Sequence, residues 1–146
     1  SHLLLAMSLT ARLHISGHEK ETEGLEIYSC DFGFTQEIEF QTLSSISMVR
    51  PGLINLTMPS INDAEIVQWM FTRFAAKNGK ISFKSPSDSG IEQEFKTLKF
   101  ENAFLVSYHE NYSEDSTMIL SLSILANKII LSDNEWTGHL GTEEIS

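Results

Sequence analysis

This sequence predicts a mainly β fold: an antiparallel barrel or sandwich with a single helix on its flank. Three observations carry that reading. Apolar residues alternate with polar ones through most of the chain, which is the signature of strands with one buried face. One segment only, Asp63 to Lys77, changes to a helical period. With 146 residues, 41% of them hydrophobic and 21% charged, the chain has the size and composition of one soluble domain with its own core.

The elements follow in order. Leu9, Ala11, Leu13 and Ile15 alternate with Thr10, Arg12, His14 and Ser16, giving a first strand. Gly17 to Gly24 is a charged turn region. Tyr28, Cys30, Phe32, Phe34, Ile38 and Phe40 then share one parity, opposite Ser29, Asp31, Thr35, Glu37 and Glu39, as one long strand or a bent pair. Gln41 to Gly52 reads as a loop, unusually apolar for one. Ile54, Leu56 and Met58 share the face of the next strand.

The helix is expected to start at an Asn62 cap, with Glu65 reaching back to it. Ile66, Val67, Met70, Phe71 and Phe74 form its apolar arc. Lys77 complements the carboxyl end of its dipole and Asn78-Gly79 stops it. Trp69 falls outside that arc, one turn from Arg73, so the indole is expected at the surface, stacked on the guanidinium or at the centre of a subunit contact.

After the helix, Ile81 and Phe83 form a short strand and Ser85 to Gly90 a turn. Phe95–Tyr112 and Thr117–Leu131 are long strands joined through Asn111 to Ser116. Leu125, Ile129 and Leu131 make the end of the last strand apolar on both faces, which calls for cover from the helix or from another subunit. The expected organisation is a cloning remnant over 1–6, a single barrel domain over 7–136, and a loose acidic tail over 137–146.

The formal net charge of −10 argues against nucleic acid and against an anionic membrane surface as partners. Cys30 is the single cysteine, which leaves neither an intrachain disulfide nor a cysteine-based zinc cluster. A reducing cytoplasm is the matching compartment.

Two segments invite a chemical reading. Ser107-Tyr-His-Glu-Asn-Tyr112 collects an imidazole, a carboxylate and two phenols. On a strand, however, successive side chains face opposite ways. His109 then points away from Tyr108 and Glu110, and no relay converges. His14-Ile-Ser-Gly-His18 has a metal-ligand spacing for a helix but lies at a strand end, with no third ligand nearby. Neither a phosphate loop nor a nucleophile elbow occurs. Cys30 falls among aromatic positions and reads as a small core residue. No catalytic, metal or cofactor site is expected.

Several segments, taken in order, carry a resemblance. They are SSISMVRPGLINLTM (44–58), DAEIVQWMFTRFAAKNGKISF (63–83), LKFENAFLVSYHENY (98–112), SILANKIIL (123–131) and NEW (134–136). Together they resemble the tube protein of the type VI secretion system, the Hcp family, in its Bacteroidetes-type form. The resemblance implies a β-barrel of two sheets with one flanking helix, a fold shared with phage tail-tube proteins. It implies no enzymatic activity. It implies six-membered rings that stack into a tube, effector proteins as cargo, and sheath and spike proteins as further partners. It places the protein in the cytoplasm, with secretion through the apparatus.

By position, the 41–51 loop matches the family's extended loop. That makes Leu43, Ile46, Met48, Val49 and Arg50 candidates for subunit contacts, beside Trp69, Arg73, Leu125, Ile129, Leu131 and Trp136. Sheet edges, with their unpaired N–H and C=O groups, are expected to be buried against neighbouring copies. The chain departs from the family pattern at Pro51-Gly52, where Gly-Gly is usual, at Thr42-Leu43, where Arg-Pro is frequent, and in running past the usual end. These departures fit a diverged paralogue: a specialised ring, an adaptor or a cargo carrier. The competing readings are a monomeric β-sandwich module that binds a ligand beside a tryptophan, and, behind it, a hydrolase built on His109.

Overall fold

Alternation along the chain becomes pairing in the computed structural model, which describes residues 9–34, 52–86 and 93–138. The strands among the described residues are β1 (Thr10–Ile15), β2 (Leu25–Ile27), β3 (Ser29–Phe32), β4 (Leu53–Pro59), β5 (Ala76–Ser85), β6 (Gln93–Ser113), β7 (Ser116–Leu131) and β8 (Asn134–Thr137). One helix, α1 (Ala64–Phe71), lies between β4 and β5. All strand pairs are antiparallel, in the order β2-β1-β5-β6-β7-β4-β3, with β8 added to β7.

The two ends of that order are one segment of chain. β2 and β3 are halves of a strand bent at Tyr28, whose N–H donates to the Thr57 carbonyl at 2.7 Å. β2 pairs with β1 and β3 with β4, so the bend curls the sheet into a nearly closed antiparallel barrel. Closure is the fold's own answer to the edge problem. Among the described residues it leaves fewer free rims for neighbouring copies than the alternation alone implied. β4 and β8 then lie end to end along one side of β7: Ala126 N–H donates to Gly52 O at 2.8 Å and Gly138 N–H to Asn127 O at 2.6 Å.

The core fills the barrel. Leu13, Ile54, Ile81, Leu98, Phe100 and Ile124 have no accessible surface, and Leu56 and Met58 keep the parity of β4 expected from alternation. On β6 and β7 the inward parity changes. Leu98 and Phe100 are buried, then Ala103 and Leu105. Opposite them Leu120, Leu122, Ile124 and Ala126 are buried, then Ile129. The pairing keeps step through the change, with Phe100 opposite Ile129 and Ala103 opposite Ala126. Asn102, between them, takes a left-handed φ of 54°, and its N–H donates to Asn78 Oδ1 at 2.8 Å. Part of the apolar end of β7 is thereby explained within the chain: Ile129 is buried in the core and Leu131 packs partly against it.

The helix is shorter than its apolar period. Asp63, not Asn62, is the cap, accepting from the N–H groups of Glu65 and Ile66 at 3.0 and 3.1 Å. His18 Nε2–H donates to the other Asp63 oxygen at 2.6 Å, tying the β1–β2 turn to the helix start. Thr72 already has extended geometry, and Lys77, Asn78 and Gly79 belong to β5. The buried line is Ile66 and Trp69, with Met70 packed beside them, the i, i+3, i+4 stripe of a single face. This corrects both the arc and Trp69. The indole is 2% exposed, and its N–H donates to Ala75 O at 2.9 Å. Phe71 and Phe74, expected inside, are 81% and 77% exposed.

Candidate functional site

The chemistry-bearing segment 107–112 is built as a strand with two faces. Tyr108 O–H donates to Glu110 Oε2 at 3.1 Å, and Ser60 O–H donates to the same oxygen at 2.6 Å. Burial, then the Glu110 hydrogen bond and the charges of Glu110 and Asp63, push the Tyr108 phenol upward, so it keeps its proton. Ser107 and His109 are exposed, lying opposite Ser123 and Ser121 on β7. The two carboxylate contacts fasten the exit of β4 to β6, and the imidazole takes no part in them.

The two early histidines are equally committed. His14 is buried, its Nδ1–H donating to Glu21 O at 2.6 Å, which leaves Nε2 to accept from Ser82 O–H at 2.9 Å. His18 Nδ1 accepts from Lys20 N–H at 2.9 Å, which puts the proton on Nε2 for Asp63. Each ring uses both nitrogens in pinning the β1–β2 turn. Among the described residues no three His, Cys, Asp or Glu side chains gather around a common centre.

Cys30 packs against the core as expected. Burial, helped by the adjacent Asp31 charge, pushes its thiol up to about 11. The thiolate is the reacting form. Alkylation of the native protein by iodoacetamide should therefore be slow at neutral pH and rise about tenfold per pH unit until near that value. A rate that levels off near pH 8–9 would show an ordinary, accessible thiol.

The assembly candidates divide. Leu43, Ile46, Met48, Val49 and Arg50 lie outside the described residues. Trp69 is interior. Ile129 is buried, and Leu131 and Trp136 are partly buried against the core. Leu125 faces outward, paired with Leu53 on β4 and Phe104 on β6; all three are half-buried. Arg73 is exposed and sits 5.0 Å from the centre of the Phe74 ring, not over Trp69.

Two features escaped the sequence. One is the pair Phe71 and Phe74, projecting from the end of α1. The signal was the exchange of Trp69 for Phe71 on the inner face, which periodicity alone does not distinguish when both are aromatic. The other is a cleft of 260 Å³ lined by Phe34, Ile129, Leu131, Asn134, Glu135 and Trp136. Phe34 and Trp136 pack there with ring centroids 6.1 Å apart. The Trp136 indole also fills the space beside Gly52 and Gly138, where a Cβ would stand 2.9 and 2.8 Å from its ring.

The comparisons with known proteins agree with this geometry. The family model of hemolysin coregulated protein Hcp (TssD) matches residues 7–139. Among solved structures, the chain is similar to Hcp1 from Flavobacterium johnsoniae, at 24% identity and TM-score 0.69, over 88% of this chain and 99% of that one. It is similar to the Hcp1 protein of the E. coli EAEC 042 pathovar, at 12% identity and TM-score 0.68, over 90% and 99%. It is also similar to a chain of the sheath–tube complex of PVC, an extracellular contractile injection system, at 16% identity and TM-score 0.55, over 90% and 97%. No curated protein matches significantly.

Proposed function

Since the chain belongs to the Hcp (TssD) family, a family of structural tube proteins and not of enzymes, we propose that its copies join as six-membered rings that stack into the inner tube of a type VI secretion system. The observation that carries this reading is the family match over 7–139, on a barrel of the Hcp kind. The fold supplies what a tube wall requires. A nearly closed barrel fixes the positions of its outward side chains, and His14, His18, Tyr108 and Glu110 are spent on internal hydrogen bonds. Effector cargo, a surrounding sheath and a terminal spike are the partners this role brings. The sheath is supported by the similarity to a chain from a sheath–tube complex. Passage from the cytoplasm out through the apparatus belongs to the same role.

Assembly is tested on the purified chain by light scattering and negative-stain microscopy. Copies carrying a net charge of −10 repel one another over about a Debye length, roughly 10 Å at 0.1 M salt. Added salt should therefore raise the ring population at fixed protein concentration. Rings or short stacks are the expected images. A strict monomer at high concentration and high salt defeats the reading.

A further inference from the structure

We propose that this chain carries both halves of a contact with its own copies, a step that rests on the ring-building reading above: Phe71 and Phe74 of one copy enter the cleft of Phe34, Leu131 and Trp136 on the next.

The projecting half is an anomaly as a free surface. Phe71 and Phe74 have 81% and 77% of their surface in water, on a chain that buries its other helix aromatic almost completely. Phe74 takes a left-handed φ of 61°, an outlier for a bulky side chain. The backbone beside it is anchored by the Trp69 indole, which donates to Ala75 O at 2.9 Å, and the Arg73 guanidinium lies 5.0 Å from the Phe74 ring centre. A backbone already set in this conformation loses little freedom when its side chain docks.

The receiving half has matching chemistry. Its walls are aromatic and aliphatic, with Ile129 as the floor. A cavity of about 150 Å³ accepts benzene, so 260 Å³ admits a phenyl ring. Glu135 stands on the rim, sharing the Lys128 ammonium at 3.2 Å, with Glu101 also near that ammonium at 3.9 Å. Two carboxylates to one lysine leave the rim negative, which suits the arriving Arg73.

The placement selects the partner. The projection stands where α1 runs into β5; the cleft stands at β8. β5 and β8 flank the β6–β7 pair on opposite sides. Two unlike patches on different sides of one chain give a head-to-tail contact, the kind that generates a ring when the rotation closes. A second copy is therefore the occupant that the chain itself supplies.

The test uses the full chain with Cys30→Ala, Thr72→Cys and Asn134→Cys, which keeps both phenyl rings and places one exposed thiol beside each half of the contact, treated with a short bismaleimide. Expected is a ladder of covalent oligomers on a denaturing gel, with each single-cysteine chain giving dimers at most. In parallel, Phe74→Gly removes the ring and suits the left-handed backbone. It should leave Tm unchanged or raised while weakening association at least about 30-fold, the loss of one interface anchor; Phe71→Ser should weaken it similarly. If the parent chain assembles while these variants assemble equally well and the cysteine pair gives no ladder, the contact is wrong and the tube reading stands. A parent chain that never assembles removes both.

Discussion

Replacing Trp69 with Ala is expected to cost about 3–5 kcal/mol, the usual loss for a buried Trp, and to lower the melting temperature by about 10 °C for a chain of this size. The side chain is 2% exposed and joins two jobs. Its ring packs with Ile66 in the core, and its N–H holds the carbonyl of Ala75, which fixes the turn from α1 into β5. Trp69→Phe separates them. It keeps most of the apolar contact and takes the indole donor from a partly buried carbonyl, a loss of about 1 kcal/mol. Differential scanning calorimetry reads both. A Trp69→Ala chain that melts with the parent would return the indole to the surface, where the helical wheel put it.

The second large effect is expected at Gly79. A Cβ there would press directly on the His14 carbonyl oxygen and stand 2.5 Å from Phe100 Cζ. Gly79 pairs with Ile15 on one side and Phe100 on the other, and Phe100 has no accessible surface. Neither neighbour can withdraw: one is the backbone of β1, the other the centre of the core. Gly79→Val should cost about 3 kcal/mol or more, at or above the usual range for overpacking. Gly79→Ala should cost less, because it adds one atom to the same clash. Urea denaturation gives the size, and hydrogen exchange gives the place: amides of β1 and β5 should lose protection first. A Val variant as stable as the parent would show that β1 and β5 stand farther apart than described.

Alternation revealed much of this fold because the barrel has a wet and a dry side. Leu13 and Ile15 on β1, and Ile54, Leu56 and Met58 on β4, fall where a period of two places them. What alternation missed follows from breaks in that period. The change of parity around Asn102 shifts burial from Leu98 and Phe100 to Ala103 and Leu105. A bulge between Leu105 and Ser107 shifts it again, leaving Val106 exposed and Tyr108 with Glu110 on the packed side. Nothing in the residue types marks these positions, since an Asn on a strand has many uses. The helix was legible as an element but not in extent. Thr72 leaves the helix while the apolar spacing runs on to Phe74, so the pattern overstates the length and rotates the inner face. That His109 faces away from Tyr108 and Glu110 was legible from strand geometry alone, because that argument needs only parity over three residues. The projecting aromatics and their cleft were not, because they depend on where the helix stops and on Phe34 meeting Trp136 across a hundred residues.

The strand bent at Tyr28 has a further consequence. Because the bend nearly closes the sheet among the described residues, few of their backbone groups are left for another chain to extend. A crowded pool of unassembled protein then offers little template for cross-β growth.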